Sequence, residues 1–334
     1  LTVQEITKFT KILVIRLSSL GDILLTTPLI RSIKNQFPSL QLDIIVRQEY
    51  ADAIKLNPNI SQRYFYSRQE KDNDDLIKKL TDENYDLIID LQNNLRSKKI
   101  TSFLNVKTER FDKKNWEKFL LVNFKINKLK KAPSIPVRYS QTVSDLILDK
   151  KGINLFSDKN TSEKTLDKNN LIGFCPGARH FSKRWPKEYF ITLGKLLVEK
   201  GFIIVLFGGK IDKELCDEIA NQISGSINLS NDDDLLQTAS DMKECITVVC
   251  NDSGLMHVAS AMDIKVITIF GSTVKEFGFA PYNCDNLILE NNSLSCRPCS
   301  HIGKDRCPKK HFNCMMALKP EYVFDKIISF ISNK

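Results

Sequence analysis

At 334 residues the chain is long for one ordinary domain and sufficient for two, at about 150 residues each. With 42% hydrophobic and 27% charged residues, 13 Gly and 11 Pro, it is neither collagen-like, nor wholly disordered, nor a small disulfide scaffold. Its net charge of +9 resides in the first half: residues 1–150 hold 26 Lys+Arg against 18 Asp+Glu, and the remainder 23 against 22.

In chain order, apolar runs at 12–17, 42–46 and 86–91 read as strands, with helical patterns over 22–37 and 74–82 between them. This is βαβ alternation, which implies a mostly parallel sheet with helices on both faces. Between Arg96 and Lys131 twelve basic residues meet three acidic ones (Glu109, Asp112, Glu117), either a solvated lysine-rich face or a surface for an anionic partner. Within that stretch Trp116, Phe119, Leu120, Leu121 and Phe124 fit either a packed helix or one lying on an anionic membrane.

Residues 150–170 turn polar and lose periodicity, as an interdomain linker does. Alternation then restarts: strands over 171–174, 202–207, 246–250 and 266–270, helices over 187–200 and 213–223, and another opening near Ser253. Pro320 opens a last helix. The expected division is 1–150, linker 151–170, 171–319 and a C-terminal helix 320–334, with a cleft between two doubly wound halves as the site. No apolar run approaches the roughly 18 residues that span a bilayer. The opening residues lack a signal peptide's apolar core, and nine scattered cysteines fit a reducing compartment, so the expected location is cytoplasmic.

Three strand-end segments carry candidate chemistry. In Arg16-Leu17-Ser18-Ser19-Leu20-Gly21-Asp22 a strand turns into a helix, and Asp22 is either a cap or a functional carboxylate at the sheet's C-terminal edge. No G-x-G-x-x-G follows any strand, which weighs against a nicotinamide enzyme. In the run from Phe174 to Pro186, a Gly-containing loop bearing Arg179, Lys183 and Arg184 can clamp a diphosphate, while Trp185 reads as a packing anchor. In Asn251-Asp252-Ser253-Gly254-Leu255-Met256-His257, Ser253 and Gly254 expose helix-start N–H groups, and His257 lies one turn on. The run Asp232-Asp233-Asp234 reads as a helix cap with dipole-favouring acids rather than as a metal site. Cys296, Cys299, Cys307 and Cys314, with His301 and His311 among them, form either a structural zinc site or a cluster of reduced thiols; the second pair lacks close zinc-knuckle spacing.

Taken in order, L-S-S-L-G-D, C-P-G-A with S-K-R-W-P, N-D-S-G-L-M-H-V-A and F-G-S-T resemble glycosyltransferase family 9, the ADP-heptose:lipopolysaccharide heptosyltransferases. The resemblance runs from about Lys11 to the C-terminal helix. It implies a GT-B fold, two Rossmann-like domains facing a central cleft, with acceptor in the first and nucleotide sugar in the second. It implies an inverting transfer of heptose from ADP-heptose to a lipopolysaccharide inner-core hydroxyl, with Asp22 as base and Lys183 neutralising the leaving diphosphate. Asp252, Ser253, Gly254 and His257 would hold the donor, Asp212 or Glu214 its ribose, and Arg16, Gln92 and Arg96 the anionic, lipid-linked acceptor. No cofactor or metal is required by this scheme. The chain would work peripherally at the cytoplasmic face of the inner membrane. Asn93-Asn94 replace a Gly-containing step of many relatives, in the part of the chain where acceptor choice would lie. Competing readings are a family 9 transferase of another nucleotide sugar and a catalytically silent nucleotide-sugar or anionic-lipid binding module. Nucleic-acid binding is disfavoured, because the basic stretch lacks regular aromatic interleaving.

Overall fold

The structure is a computed structural model that describes residues 1–69, 73–164 and 169–332. It divides into two compact units, residues 1–114 with 133–156, and residues 115–132 with 157–334.

The first unit is built on β1 (Lys11–Ile15), β2 (Gln41–Arg47), β3 (Arg63–Tyr66), β4 (Leu87–Asp90) and β5 (Thr108–Arg110), all parallel in the order β3-β2-β1-β4-β5. Its helices are α1 (Val3–Ile6), α2 (Leu20–Leu24), α3 (Thr27–Gln36), α4 (Asp74–Asp82), α5 (Leu95–Leu104) and, on return of the chain, Ile135–Ser140. The near-continuous apolar strands β1 and β4 are buried on both faces, as parallel strands flanked by helices require. Leu13, Ile15 and Ile88 pack on one face with Leu80, Ile100 and Leu104 from α4 and α5.

The second unit carries α6 (Asn115–Phe124); the return helix Ile135–Ser140 of the first unit is α7. Its sheet comprises β6 (Leu171–Cys175), β7 (Ile203–Leu206), β8 (Ile227–Asn228), β9 (Thr247–Asn251), β10 (Lys265–Phe270) and β11 (Asn286–Glu290), all parallel in the order β11-β10-β9-β6-β7-β8. Helices α8 (Lys187–Glu199), α9 (Lys213–Ala220), α10 (Leu235–Met242), α11 (Gly254–Ala261), α12 (Asn313–Met316) and α13 (Pro320–Ser332) complete it. Trp185 is the packing anchor expected: its ring meets Phe190 edge-on at 5.0 Å and its Nε1 donates to the Leu318 carbonyl at 2.9 Å.

Both sheets have the doubly wound order that reverses at the first strand, so the α/β reading holds. Three differences have physical causes. The single helix expected over 22–37 is two, α2 and α3; Pro28 opens the second, and the Thr26 and Thr27 hydroxyls donate to the Ile23 and Leu24 carbonyls at 2.6 and 2.7 Å. Residues 115–132, expected in the first domain, group with the second unit because Leu121 and Leu129 pack on Phe277. Five lysines of the basic stretch therefore belong to the second unit, which weakens the charge argument for a basic first domain.

The polar stretch 151–170 is anchored rather than loose where it is described. Arg31 donates to Asp149 and to the Gly152 carbonyl, and the Asn154 N–H to Thr27 Oγ1. Further on, Ser157 Oγ donates to the Leu236 carbonyl and the Ser162 N–H to Asp241. Residues 165–168 of the expected linker and 333–334 of the expected C-terminal helix lie outside the described residues.

Candidate active site

In a doubly wound sheet, the loops leaving the two strands at the reversal point diverge and leave a crevice at the C-terminal edge. In the first unit these strands are β1 and β4, paired at Ile15 and Asp90. The loop after β1 runs into α2, where Ser19 is the N-cap and Asp22 the third helical residue. One Asp22 oxygen accepts from the Ser19 N–H at 3.0 Å and from its hydroxyl at 2.7 Å, while the other pairs with Arg16. Arg16 is buried, donates to the Leu91 carbonyl at 2.5 Å and lies 5.6 Å from the Tyr139 ring centre. Gln92, after β4, accepts from the Ser18 N–H at 3.1 Å and so ties the two loops together.

Beneath them Asp90 is fully buried and accepts from the Gln92 and Asn93 N–H groups and from Ser97 Oγ, fixing the start of α5. Asn93 takes a left-handed backbone, φ 38°, which asparagine tolerates better than most residues. Two residues join the cluster that sequence reasoning missed. The Lys113 ammonium has its pKa lowered by burial and by the like charge of Arg16, against the pull of Asp90 and Asp22. The Tyr139 hydroxyl is buried, has no hydrogen-bond partner among the described residues, and has its pKa raised by that burial. Neither position carries a local signal; both arrive through tertiary packing. Arg96 is exposed in the first turn of α5.

In the second unit the reversal lies between β6 and β9, paired at Cys175 and Cys250. Asn251 at the end of β9 accepts from the Trp185 N–H at 3.0 Å and donates to the Pro176 carbonyl at 2.7 Å, holding the loop after β6 against the start of α11. Lys183 consequently meets Asp252, Nζ to Oδ2, at 2.7 Å, and Thr273 after β10 donates to the same oxygen at 2.6 Å. Ser253 caps α11 by position, and its buried hydroxyl has no hydrogen-bond partner among the described residues. Gly254 opens that helix and His257 is buried one turn on.

Arg297 holds the loop after β10 from behind, donating to the Gly271 and Thr273 carbonyls at 2.6 and 2.9 Å. Asp212 packs against Gly177, where a Cβ would stand 2.4 Å from its carboxylate oxygens. Burial raises the pKa of Asp212, and the charge of Arg184 opposes that rise. Glu214 is exposed in the first turn of α9.

Comparison with known proteins gives these paired strand-end clusters a family. The model of glycosyltransferase family 9 (heptosyltransferase) matches residues 74–310, well over half of the chain. The chain belongs to glycosyltransferase family 9. It is 29% identical over 296 residues to lipooligosaccharide heptosyltransferase 2 of Haemophilus ducreyi, covering 79% of this chain and 84% of that one. With lipopolysaccharide heptosyltransferase 2 of Salmonella typhimurium it shares 26% over 298 residues, 80% and 84% of the two chains. Among solved structures, a family 9 glycosyltransferase of Veillonella parvula superposes with a TM-score of 0.78 at 19% identity, over 97% of this chain and 98% of that one. The E. coli ADP-heptose lipopolysaccharide heptosyltransferase II superposes with a TM-score of 0.72 at 22% identity, over 96% and 98%. The chain is therefore a glycosyltransferase of the GT-B fold.

Within this family 9 chain the three-aspartate run has local work to do. Asp232 pairs with Lys213 at 2.8 Å, Asp233 accepts from the Lys210 N–H at 2.9 Å, and Asp234 caps α10 through the Gln237 N–H at 3.0 Å. Cys296, Cys299, Cys307 and Cys314 are free thiols, Cys296 lying 3.9 Å from His311 Nε2. Among the described residues no three His, Cys, Asp or Glu side chains converge as a metal-ligating group. Burial pushes the Cys314 thiol up to about 11.

Proposed function

We propose that this chain transfers heptose from ADP-heptose to a hydroxyl of the lipopolysaccharide inner core, with inversion. The observation that carries the reading is the pair of fixed strand-end carboxylates: Asp22 on Arg16 and Ser19 in one unit, Asp252 on Lys183 and Thr273 in the other.

Asp22 is the general base. A carboxylate offers about four acceptor sites, and its contacts to Arg16 and to Ser19 leave capacity for the acceptor hydroxyl. As that hydroxyl oxygen attacks the anomeric carbon, its proton passes to Asp22, the glycosidic C–O bond to the diphosphate breaks, and ADP leaves with the bonding electron pair. Lys183 meets the charge building on the diphosphate. Its ammonium has three N–H donors, of which Asp252 engages one and holds the group in place. The Ser253 and Gly254 amides, at the positive end of α11, add donors, and Ser253 Oγ, without a hydrogen-bond partner among the described residues, would turn to a phosphate or sugar oxygen. Asp252 and His257 orient the sugar and the diphosphate, and Asp212 or Glu214 would bind the ribose hydroxyls.

On the acceptor side Arg16, Gln92 and Arg96 are joined by Lys113, and together they suit an anionic saccharide. The relatives named lipooligosaccharide and lipopolysaccharide heptosyltransferase 2 support a heptosyl donor and a lipopolysaccharide-type acceptor. A lipid-linked acceptor puts the chain peripherally at the cytoplasmic face of the inner membrane; no helix among the described residues is long and apolar enough to cross one.

Calorimetric titration of ADP, ADP-heptose, UDP and GDP tests the donor. Selective binding of the adenine diphosphates is expected; preference for UDP or GDP keeps a transferase but changes the sugar class, and no nucleotide binding overturns the reading.

A further inference from the structure

Helix α6 has two unlike faces. Leu121 on it, with Leu129 beyond its end, packs on Phe277, Val274 and Phe279, and Lys125 just after the helix donates to the Cys296 and Pro298 carbonyls at 3.2 and 2.6 Å. The opposite face presents Trp116, 63% exposed, Phe119, 47%, and Phe124, 61%, followed by exposed Ile126. These rings touch one another: Trp116 stacks on Phe119 at 5.5 Å, and Phe119 meets Phe124 edge-on at 5.8 Å. Other exposed large apolar residues, such as Ile147 and Ile211, have no exposed large apolar neighbour next to them in the chain, which is ordinary for a protein surface. Three large rings joined on one short helix are not ordinary, and such a patch marks an interaction site.

The surrounding charge selects the partner. From residue 115 to 132 the second unit carries, besides the inward-turned Lys125, Lys118, Lys128, Lys130 and Lys131 against the single acid Glu117. A soluble protein partner would need an apolar pocket rimmed by carboxylates. An anionic bilayer supplies both halves at once, an apolar depth for aromatic rings, which favour the headgroup boundary, and phosphates for the lysines around them.

We propose that α6 is the membrane-docking element of this chain, its Trp116, Phe119 and Phe124 rings entering the headgroup boundary of an anionic bilayer and the neighbouring lysines facing lipid phosphates. The inference deepens the peripheral placement proposed above and rests on it. Docking through this helix would hold the second unit at the surface that carries the lipid-linked acceptor.

The chain is its own reporter, because of its two tryptophans Trp185 is 2% exposed and Trp116 faces solvent. With vesicles of phosphatidylcholine containing about 30% phosphatidylglycerol, the full chain should sediment, its emission should shift to the blue, and brominated lipid should quench it. Pure phosphatidylcholine, or high salt, should weaken all three. In Phe119→Ser/Phe124→Ser, which keeps the reporter, vesicle partitioning should fall about tenfold or more while ADP affinity is unchanged. Undiminished vesicle binding by this variant would overturn the role of α6 and leave peripheral attachment standing. No vesicle binding by the unaltered chain would overturn both. A self-association lost in the variant, without vesicle binding, would overturn it too, by showing the face to be a contact between copies.

Discussion

Replacing Lys183 by alanine separates its structural pairing from its proposed work on the diphosphate. The pair with Asp252, at 2.7 Å and with side chains 16% and 9% exposed, carries a gross attraction of about 6 kcal/mol at an effective dielectric of about 20. Desolvation offsets most of it; for a pair lying between exposed and fully buried, the loss in folding stability is about 1–3 kcal/mol. Thr273 still donates to Asp252 in the variant, so the stranded carboxylate keeps one partner. For ADP, loss of a charge-assisted contact is worth about 1.5–3 kcal/mol, a rise in Kd of about 10- to 150-fold. Calorimetry gives Kd and thermal unfolding gives stability, each on the same sample. A Kd within about twofold of the unaltered chain, beside a lowered Tm, would show Lys183 to be only the structural partner of Asp252 and would refute its role at the diphosphate.

Gly271→Ala would place a Cβ 2.9 Å from the Ser182 carbonyl and 2.5 Å from Met315; overpacking there should cost about 1–3 kcal/mol, seen as a Tm lowered by roughly 2–12 °C. Lys113→Ala should raise the acceptor KM about tenfold or more while leaving the donor KM unchanged, read from initial rates with each substrate varied in turn. The Arg31 guanidinium holds the Asp149 carboxyl below its ordinary range, so this pair stabilises the fold above a pKa of about 3.9 and loses its effect as pH falls through the lower, folded value. Asp149→Asn should therefore lower the Tm at pH 7, and the difference from the unaltered chain should vanish on acidification. Buried Cys314, its thiol raised to about 11, should resist a thiol reagent at pH 8 until the chain unfolds, whereas half-exposed Cys296 should react in the native state.

What the sequence makes legible is what depends on local pattern. Helix α4 occupies the expected 74–82 and α8 ends one residue short of its expected limit, because apolar periodicity and a first-turn proline or acid act within a few residues. The break between α2 and α3 was available in Pro28 and in two threonines that satisfy carbonyls locally, but apolar periodicity continued across it. Strand β11, mostly half-buried at a sheet edge, lacks the continuous apolar run that betrayed β6 and β9.

The site divides in the same way. Asp22, Lys183 and Asp252 could be picked out because each sits in a short strand-to-helix turn. Their partners could not: Lys183 reaches Asp252 across 69 positions of sequence only because Asn251 bonds the two loops together. Lys113 and Tyr139 have no motif at all, and the allegiance of residues 115–132 is decided by Phe277, far along the chain.

The central claim is heptosyl transfer with Asp22 as base, and the most direct measurement incubates the purified chain with ADP-heptose and a lipid-linked inner-core acceptor, following product by mass and anomeric configuration by NMR. The account predicts an acceptor heavier by one heptose with inverted configuration, and in Asp22→Asn a kcat lower by about 10²- to 10⁴-fold with ADP affinity retained. A retained configuration, or an Asp22→Asn variant that turns over at the unaltered rate, would contradict it.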